Sequence, residues 1–387
     1  MYYFLGVLHR NYIFFMLNKS YKRVLPLFIL FSFCSINVCA QSVLELAQRA
    51  NDYFMAKWSD PTAPTNAKKL RPSNLWTRGV YYEGLMALNA VAPDARYIDY
   101  VDRWGSFHQW GPYSGRLTTV DADHQCCGQT YFMRYQMVGG DEKISKMRQT
   151  FDNQISGGSV EHWFWIDAIQ MAMPAYAMLS QITGDRKYID YAMRSYRWTR
   201  NECGGGLFNQ PAGLWWRDKN FVAPYKETDG KDCYWSRGNG WVYAALVRVM
   251  STLSPKDAYY KELKKDYIAM TRALLAVQRE DGFWNASLAS QDFAGPELSG
   301  TALFLYGLSW GMNNKVLKGK QYLAAADKAW RACASCVHRD GFLGYVQGSG
   351  DRPASSQPCT YYREPDFDDY GLGCFLLGAT EYYKLTR

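Results

Sequence analysis

The chain is poor in histidine. His9, His108, His124, His162 and His338 are too scattered for metal-ligand spacing. It has no G-x-S-x-G elbow and no G-x-G-x-x-G or G-x-x-x-x-G-K-[ST] loop. Serine-nucleophile hydrolysis, metal-assisted hydrolysis and nucleotide chemistry are therefore disfavoured, and no metal or other cofactor is expected. Lysine and arginine form no tract, which argues against nucleic acid. Beyond residue 40 no stretch approaches about 18 uninterrupted apolar residues, so no membrane insertion is expected. Eight of the ten cysteines lie beyond residue 40, at spacings too irregular for a disulfide framework. Cys333-x-x-Cys336 has no second pair to complete a zinc site.

Residues 1–40 stand apart. Lys19, Lys22 and Arg23 precede the apolar run VLPLFILFSF, and NVCA ends at Ala40, the pattern of a signal peptide cut before Gln41. An exported protein, periplasmic or secreted, is expected, and a monomer or homodimer. Removing Arg10, Lys19, Lys22 and Arg23, with no acid among them, lowers the formal net charge from +8 to +4. A mildly basic protein suits an acidic small ligand. With 48% hydrophobic and 21% charged residues the remainder is globular. Aromatics at 16% supply a large interior or a cleft wall on which a sugar can stack.

Helical periodicity dominates residues 41–387. QSVLELAQRANDYFMAKW, RKYIDYAMRSYRWTRN and KQYLAAADKAWRACASCVH read as amphipathic helices, as does Tyr259 to Arg279. Trp163 to Leu179 and Trp241 to Met250 are apolar nearly all round and call for burial on every side. GGD, TGD, EDG and RDG close the helical runs. Helix pairs of about 55 residues would number roughly six. An all-α, single-domain (α/α)6 barrel over 41–387 follows, with the Trp- and Gly-rich connections at one mouth.

Three segments carry candidate chemistry, each at the start of an apolar helix. VDADHQCCGQTY holds Asp121, Asp123 and His124, where either acid can cap the helix. EHWFWIDAIQMAMP sets Asp167 among Trp163, Phe164, Trp165 and Ile166. A carboxylate so placed must be paired, hydrogen-bonded or held protonated, as a general acid is. Pro174 lacks the N–H that the Gln170 carbonyl expects, so a kink is predicted there. CYWSRGNGW offers Arg237 to fork onto a carboxylate, Trp235 or Trp241 to stack on a ring, and glycines that admit a ligand.

ADHQCCGQTY, WFWIDAIQMAMP, LWWRD, YWSRGNGWVYAAL, QREDGFW, PELSGTALFLYGLSWGMNN and YGLGCFLLGATEYYKL, in that order over most of the chain, resemble the unsaturated rhamnogalacturonyl hydrolases of glycoside hydrolase family 105. These are related to the unsaturated glucuronyl hydrolases of family 88. The resemblance implies an (α/α)6 barrel without metal or nucleotide. It implies Asp167 as general acid/base and Asp123 as the second catalytic carboxylate. Trp235, Arg237, Asn239 and Trp241 fall in its sugar-binding segment; Glu297, Ser299, Gly300 and Thr301 fall beside the site. His124, Trp163 and Trp165 flank the two acids and, with Arg217, Ser299 and Thr301, are expected to bind substrate. Where some members carry a histidine, this chain has LWWRD, which puts Arg217 in its place. The substrate implied is an oligosaccharide ending in a 4,5-unsaturated uronate, of pectin or rhamnogalacturonan type, left by a polysaccharide lyase. An inverting glycosidase on saturated glycans and a secreted glycan-binding protein are the competing readings.

Overall fold

A computed structural model describes residues 42–64 and 70–387; the expected leader at 1–40 lies outside the described residues. Helices alternate between two layers. The chain runs through α1 (42–57), α2 (Trp76–Val91), α3 (Ala95–Phe107), the single turn α4 (Ala122–Gln125), α5 (Gly128–Val138), α6 (Glu142–Ser156), α7 (Asp167–Thr183) and α8 (Lys187–Asn201). A two-strand hairpin, β1 (Phe208–Asn209) and β2 (Leu214–Trp215), precedes α9 (Ser236–Thr252), α10 (Ala258–Val277), α11 (Leu298–Asn313), α12 (Lys320–Ser335) and α13 (Asp369–Thr386).

The inner helices α2, α5, α7, α9, α11 and α13 pack in that order, and α13 returns to α2, closing the ring. This is the (α/α)6 barrel that the helical pattern called for, in one domain. Side-chain character sorts the layers. In α11 every residue from Leu298 to Gly311 is buried. Outer α6 buries only Ile144, Met147, Thr150, Phe151 and Gln154, a single stripe. The seam between α2 and α13 needs glycine: a Cβ on Gly84 would sit 2.6 Å from the Gly373 carbonyl oxygen, and one on Gly373 would sit 2.3 Å from that of Val80.

Each inner helix is joined to the next through an outer helix running back, so the inner helices are parallel and their N-termini share one mouth. One boundary differs from the sequence reading. Trp163 to Ile166 is not helical; α7 begins at Asp167. Trp165 instead forms an antiparallel bridge with Asp218, and the Ile166 N–H donates to the Arg217 carbonyl at 2.9 Å. Within α7 the Gln170 carbonyl facing Pro174 accepts from Gln129 Nε2 at 2.8 Å. Cys126, Cys127, Cys203, Cys233, Cys333, Cys336, Cys359 and Cys374 are unpaired. Among the described residues no helix is long and apolar enough to cross a membrane.

Candidate active site

Both sequence-selected acids sit at the mouth, at the starts of α4 and α7. Asp121 is the helix cap: its Oδ1 accepts the Asp123 N–H at 2.9 Å. Asp123 is thereby left free of capping duty in the first turn. Burial, then the negative charges of Asp121 and Asp167, push its carboxyl up to about 8, against the pull of Arg217 and Arg71. Asp167 is buried, and that burial raises its carboxyl above the usual range, while Arg217 and Arg237 oppose the rise. The negative charge of Asp167 is thus one of the causes that favour the protonated form of Asp123.

Arg217 stands over this pair. Its Nε donates to Asp167 Oδ2 at 3.3 Å, and its Nη1 donates to Asp218 Oδ2 at 2.8 Å. The bridge between Trp165 and Asp218 staples the segment bearing Arg217 to the one bearing Asp167. Trp165 is half-buried, and Phe164, packed on it with ring centroids 4.5 Å apart, is 58% exposed at the rim. His124 also lies at the rim, half-buried; its Nδ1 is 2.9 Å from Thr119 Oγ1 and its ring rests on Tyr113. Burial lowers its pKa, against the charge of Asp121.

Other expected contacts form the wall's support instead. Arg237 is 1% exposed, and its Nη1 and Nη2 donate to the carbonyls of Gln347 (2.8 Å) and Gly348 (3.0 Å). Its fork thus holds a loop and not a substrate carboxylate. Trp235 lies beneath that guanidinium, 4.6 Å from ring centroid to Cζ, and its indole N–H donates to Gln347 Oε1 at 2.9 Å. Asn239 is fully buried and ties α9 to β2, accepting from the Trp215 N–H and donating to the Trp215 carbonyl. Trp163 is buried against Tyr176, and Trp241 is buried edge-on to Trp76 at 6.3 Å. Ser299 and Thr301 are fully buried as well: Glu297 caps α11 by accepting from the Ser299 and Gly300 N–H groups, and Thr301 Oγ1 accepts the Trp284 N–H. Arg237 Nη1 and Nη2, the Trp235 indole N–H, the Asn239 amide and the Ser299 and Thr301 hydroxyls are thus engaged by neighbouring backbone or side chains.

Several mouth residues escaped the sequence reading. Trp76, at the start of α2, keeps an open face while its ring contacts Tyr370 at 5.2 Å. Its position at an inner-helix start was the available signal. Gln347, wholly buried, is the hub that receives Arg237, Trp235 and the Tyr370 hydroxyl; no local pattern marks it. Two hollows of about 340 and 260 Å³ open at the opposite end of the ring, sharing Met133, Gln136, Arg248 and Tyr306. Of the two acids there, Glu381 pairs with Lys384 at 2.9 Å, and Glu83 is held by Gln170 Nε2 at 2.9 Å and faces Arg248 at 3.7 Å. Volume favours that end, and burial pushes Glu83 up to about 7; the mouth is chosen because it brings together two acids, an open-faced cation and rim aromatics.

A closed helical ring whose mouth joins two carboxylates with raised pKa, a cation and rim aromatics has the parts of an acid/base hydrolase of glycans. The sequence description of Glycosyl Hydrolase Family 88 matches residues 46–386; the chain belongs to that family and is a glycoside hydrolase. An unsaturated 3S-rhamnoglycuronyl hydrolase from Formosa agariphila is 30% identical over 333 residues, 80% of this chain and 84% of the relative. A solved family 88 glycosyl hydrolase from Bacteroides vulgatus superposes with a TM-score of 0.80 at 29% identity, covering 89% of this chain and 99% of that one. A solved structure described as a possible family 105 member, from Salmonella enterica, shares the fold at 18% identity with a TM-score of 0.70, covering 89% of this chain and 94% of its own.

Proposed function

We propose that this enzyme removes the 4,5-unsaturated uronic acid from the non-reducing end of lyase-generated oligosaccharides by hydrating the C4=C5 enol ether. The observation that carries the reading is the pairing of Asp167 and Asp123 beneath Arg217. Asp167 delivers a proton to C4, leaving an oxocarbenium at C5. Water adds to C5 and gives up its proton to the Asp167 carboxylate. The resulting hemiketal opens to a C5 ketone, and the freed C1 hemiacetal collapses to an aldehyde and expels the remaining sugar. Asp123 keeps the pair singly protonated. Arg217, the cation at the mouth with an open face, receives the uronate carboxylate. The curated relative's name joins the unsaturated uronate to rhamnose, which supports rhamnose as the leaving sugar.

Incubation with unsaturated uronate linked to rhamnose, followed by loss of the conjugated-enoate ultraviolet absorbance, tests the reaction. Asp167→Asn is expected to lower turnover by about 10³-fold or more with unchanged melting temperature. Retained turnover would remove Asp167 from the mechanism. Cleavage of a saturated glycan with the enoate untouched would replace hydration by ordinary glycosidic displacement.

A further inference from the structure

Arg217 is hydrogen-bonded to two carboxylates, and they hold it unequally. The contact to Asp218 is short, 2.8 Å from Nη1; the contact to Asp167 is a single, longer one of 3.3 Å from Nε. A charge-assisted bond at full strength falls at about 2.7–2.9 Å, so Asp218 has the better grip. Asp218 is itself fixed. It is 5% exposed, its other oxygen accepts the Asn220 N–H at 2.8 Å, and its backbone is bridged to Trp165. We propose that Asp218 is a positioning residue: by holding Nη1 it keeps Arg217 turned toward the incoming uronate carboxylate and prevents the guanidinium from closing on Asp167.

The arrangement answers a conflict in the site. A cation that binds the substrate's carboxylate two residues' reach from the general acid would, if unrestrained, form a bidentate pair with that acid and strip its proton. A second carboxylate that competes for the same guanidinium keeps the cation in place and the acid protonated. The charged groups facing these three side chains are Asp123 and Asp121 from the α4 turn, Arg237 from α9, Asp351 and Arg352 from the C-terminal loop, and Arg71 ahead of α2. None of them touches Arg217 Nη1 within hydrogen-bonding distance; among the described residues Asp218 is the partner of that nitrogen.

The inference rests on the proposed hydration and is tested on the same unsaturated substrate. Asp218→Asn keeps the shape and the acceptor for Asn220 but removes the charge. With its competitor gone, Arg217 closes on Asp167, so the alkaline limb of kcat/KM moves down by about one pH unit. KM rises about tenfold because Arg217 is withdrawn from the uronate. In an Arg217→Met background, Asp218→Asn is expected to leave the limb where it was. A limb unmoved by Asp218→Asn, or a shift that persists undiminished without Arg217, overturns the inference while leaving the reaction standing. A uniform loss at all pH values, with a lowered melting temperature, overturns it too, since that is what a purely structural role would give. A wild-type enzyme inert on the substrate overturns reaction and inference together.

Discussion

Asp123 keeps its proton at pH values where an exposed aspartate has lost it, and the chain bears the cost in stability. Unfolded, this carboxyl titrates near about 4; in the mouth it titrates at about 8. Between those values the native state binds the extra proton, so stability falls as pH rises through the window. The full contribution of the protonated form is present below the unfolded value and is gone above the folded one. Glu83, pushed by burial up to about 7, and Asp369, to about 6, act with the same sign. Urea midpoints measured from pH 5 to 9 should therefore fall for the wild type and fall less for Asp123→Asn; parallel curves would show that Asp123 does not hold the proton. Asp167 was legible as a buried acid because its own neighbours in sequence are aromatic. The choice between Asp121 and Asp123 was not legible, since both precede the helix and only cap geometry separates them. Nor was the fate of Arg237, whose acceptors at Gln347 and Gly348 lie in a distant loop.

Among the elements, α7 shows how an inner helix tolerates a proline. The carbonyl that Pro174 cannot serve is met from the neighbouring inner helix by Gln129, whose Oε1 accepts from Arg248 Nε at 2.9 Å. Gln129→Leu should cost about 1–3 kcal/mol by leaving that buried carbonyl unmet. In a Pro174→Ala background the Ala N–H restores the helical bond, so the same substitution should cost less; thermal unfolding of the four proteins measures the difference. Equal costs in both backgrounds would assign the loss to Arg248 instead. The alternation of all-round apolar and one-faced helices was readable from periodicity, because the ring requires it. The late start of α7 was not, because what holds Trp165 out of the helix is a bridge to Asp218, far along the chain.

The whole molecule depends on one seam. Every other inner contact joins helices that follow one another through a single outer helix, whereas α2 and α13 meet from opposite ends of the sequence. Backbones approach so closely at Gly84 and Gly373 that Gly373→Val must push the two helices apart. A loss of about 1–3 kcal/mol and a lower melting temperature are expected. An unchanged melting point would mean that the seam yields without strain. The same seam also orders events during synthesis. Each later inner helix can dock on one already made, but the open flank of α2 waits for α13 to leave the ribosome. Only then does Asp369 reach Arg78, 3.6 Å away, and Tyr370 reach Gln347 at the mouth. A chain interrupted anywhere before α13 therefore presents apolar surface and no finished site, so translation delivers either a whole enzyme or a substrate for proteolysis.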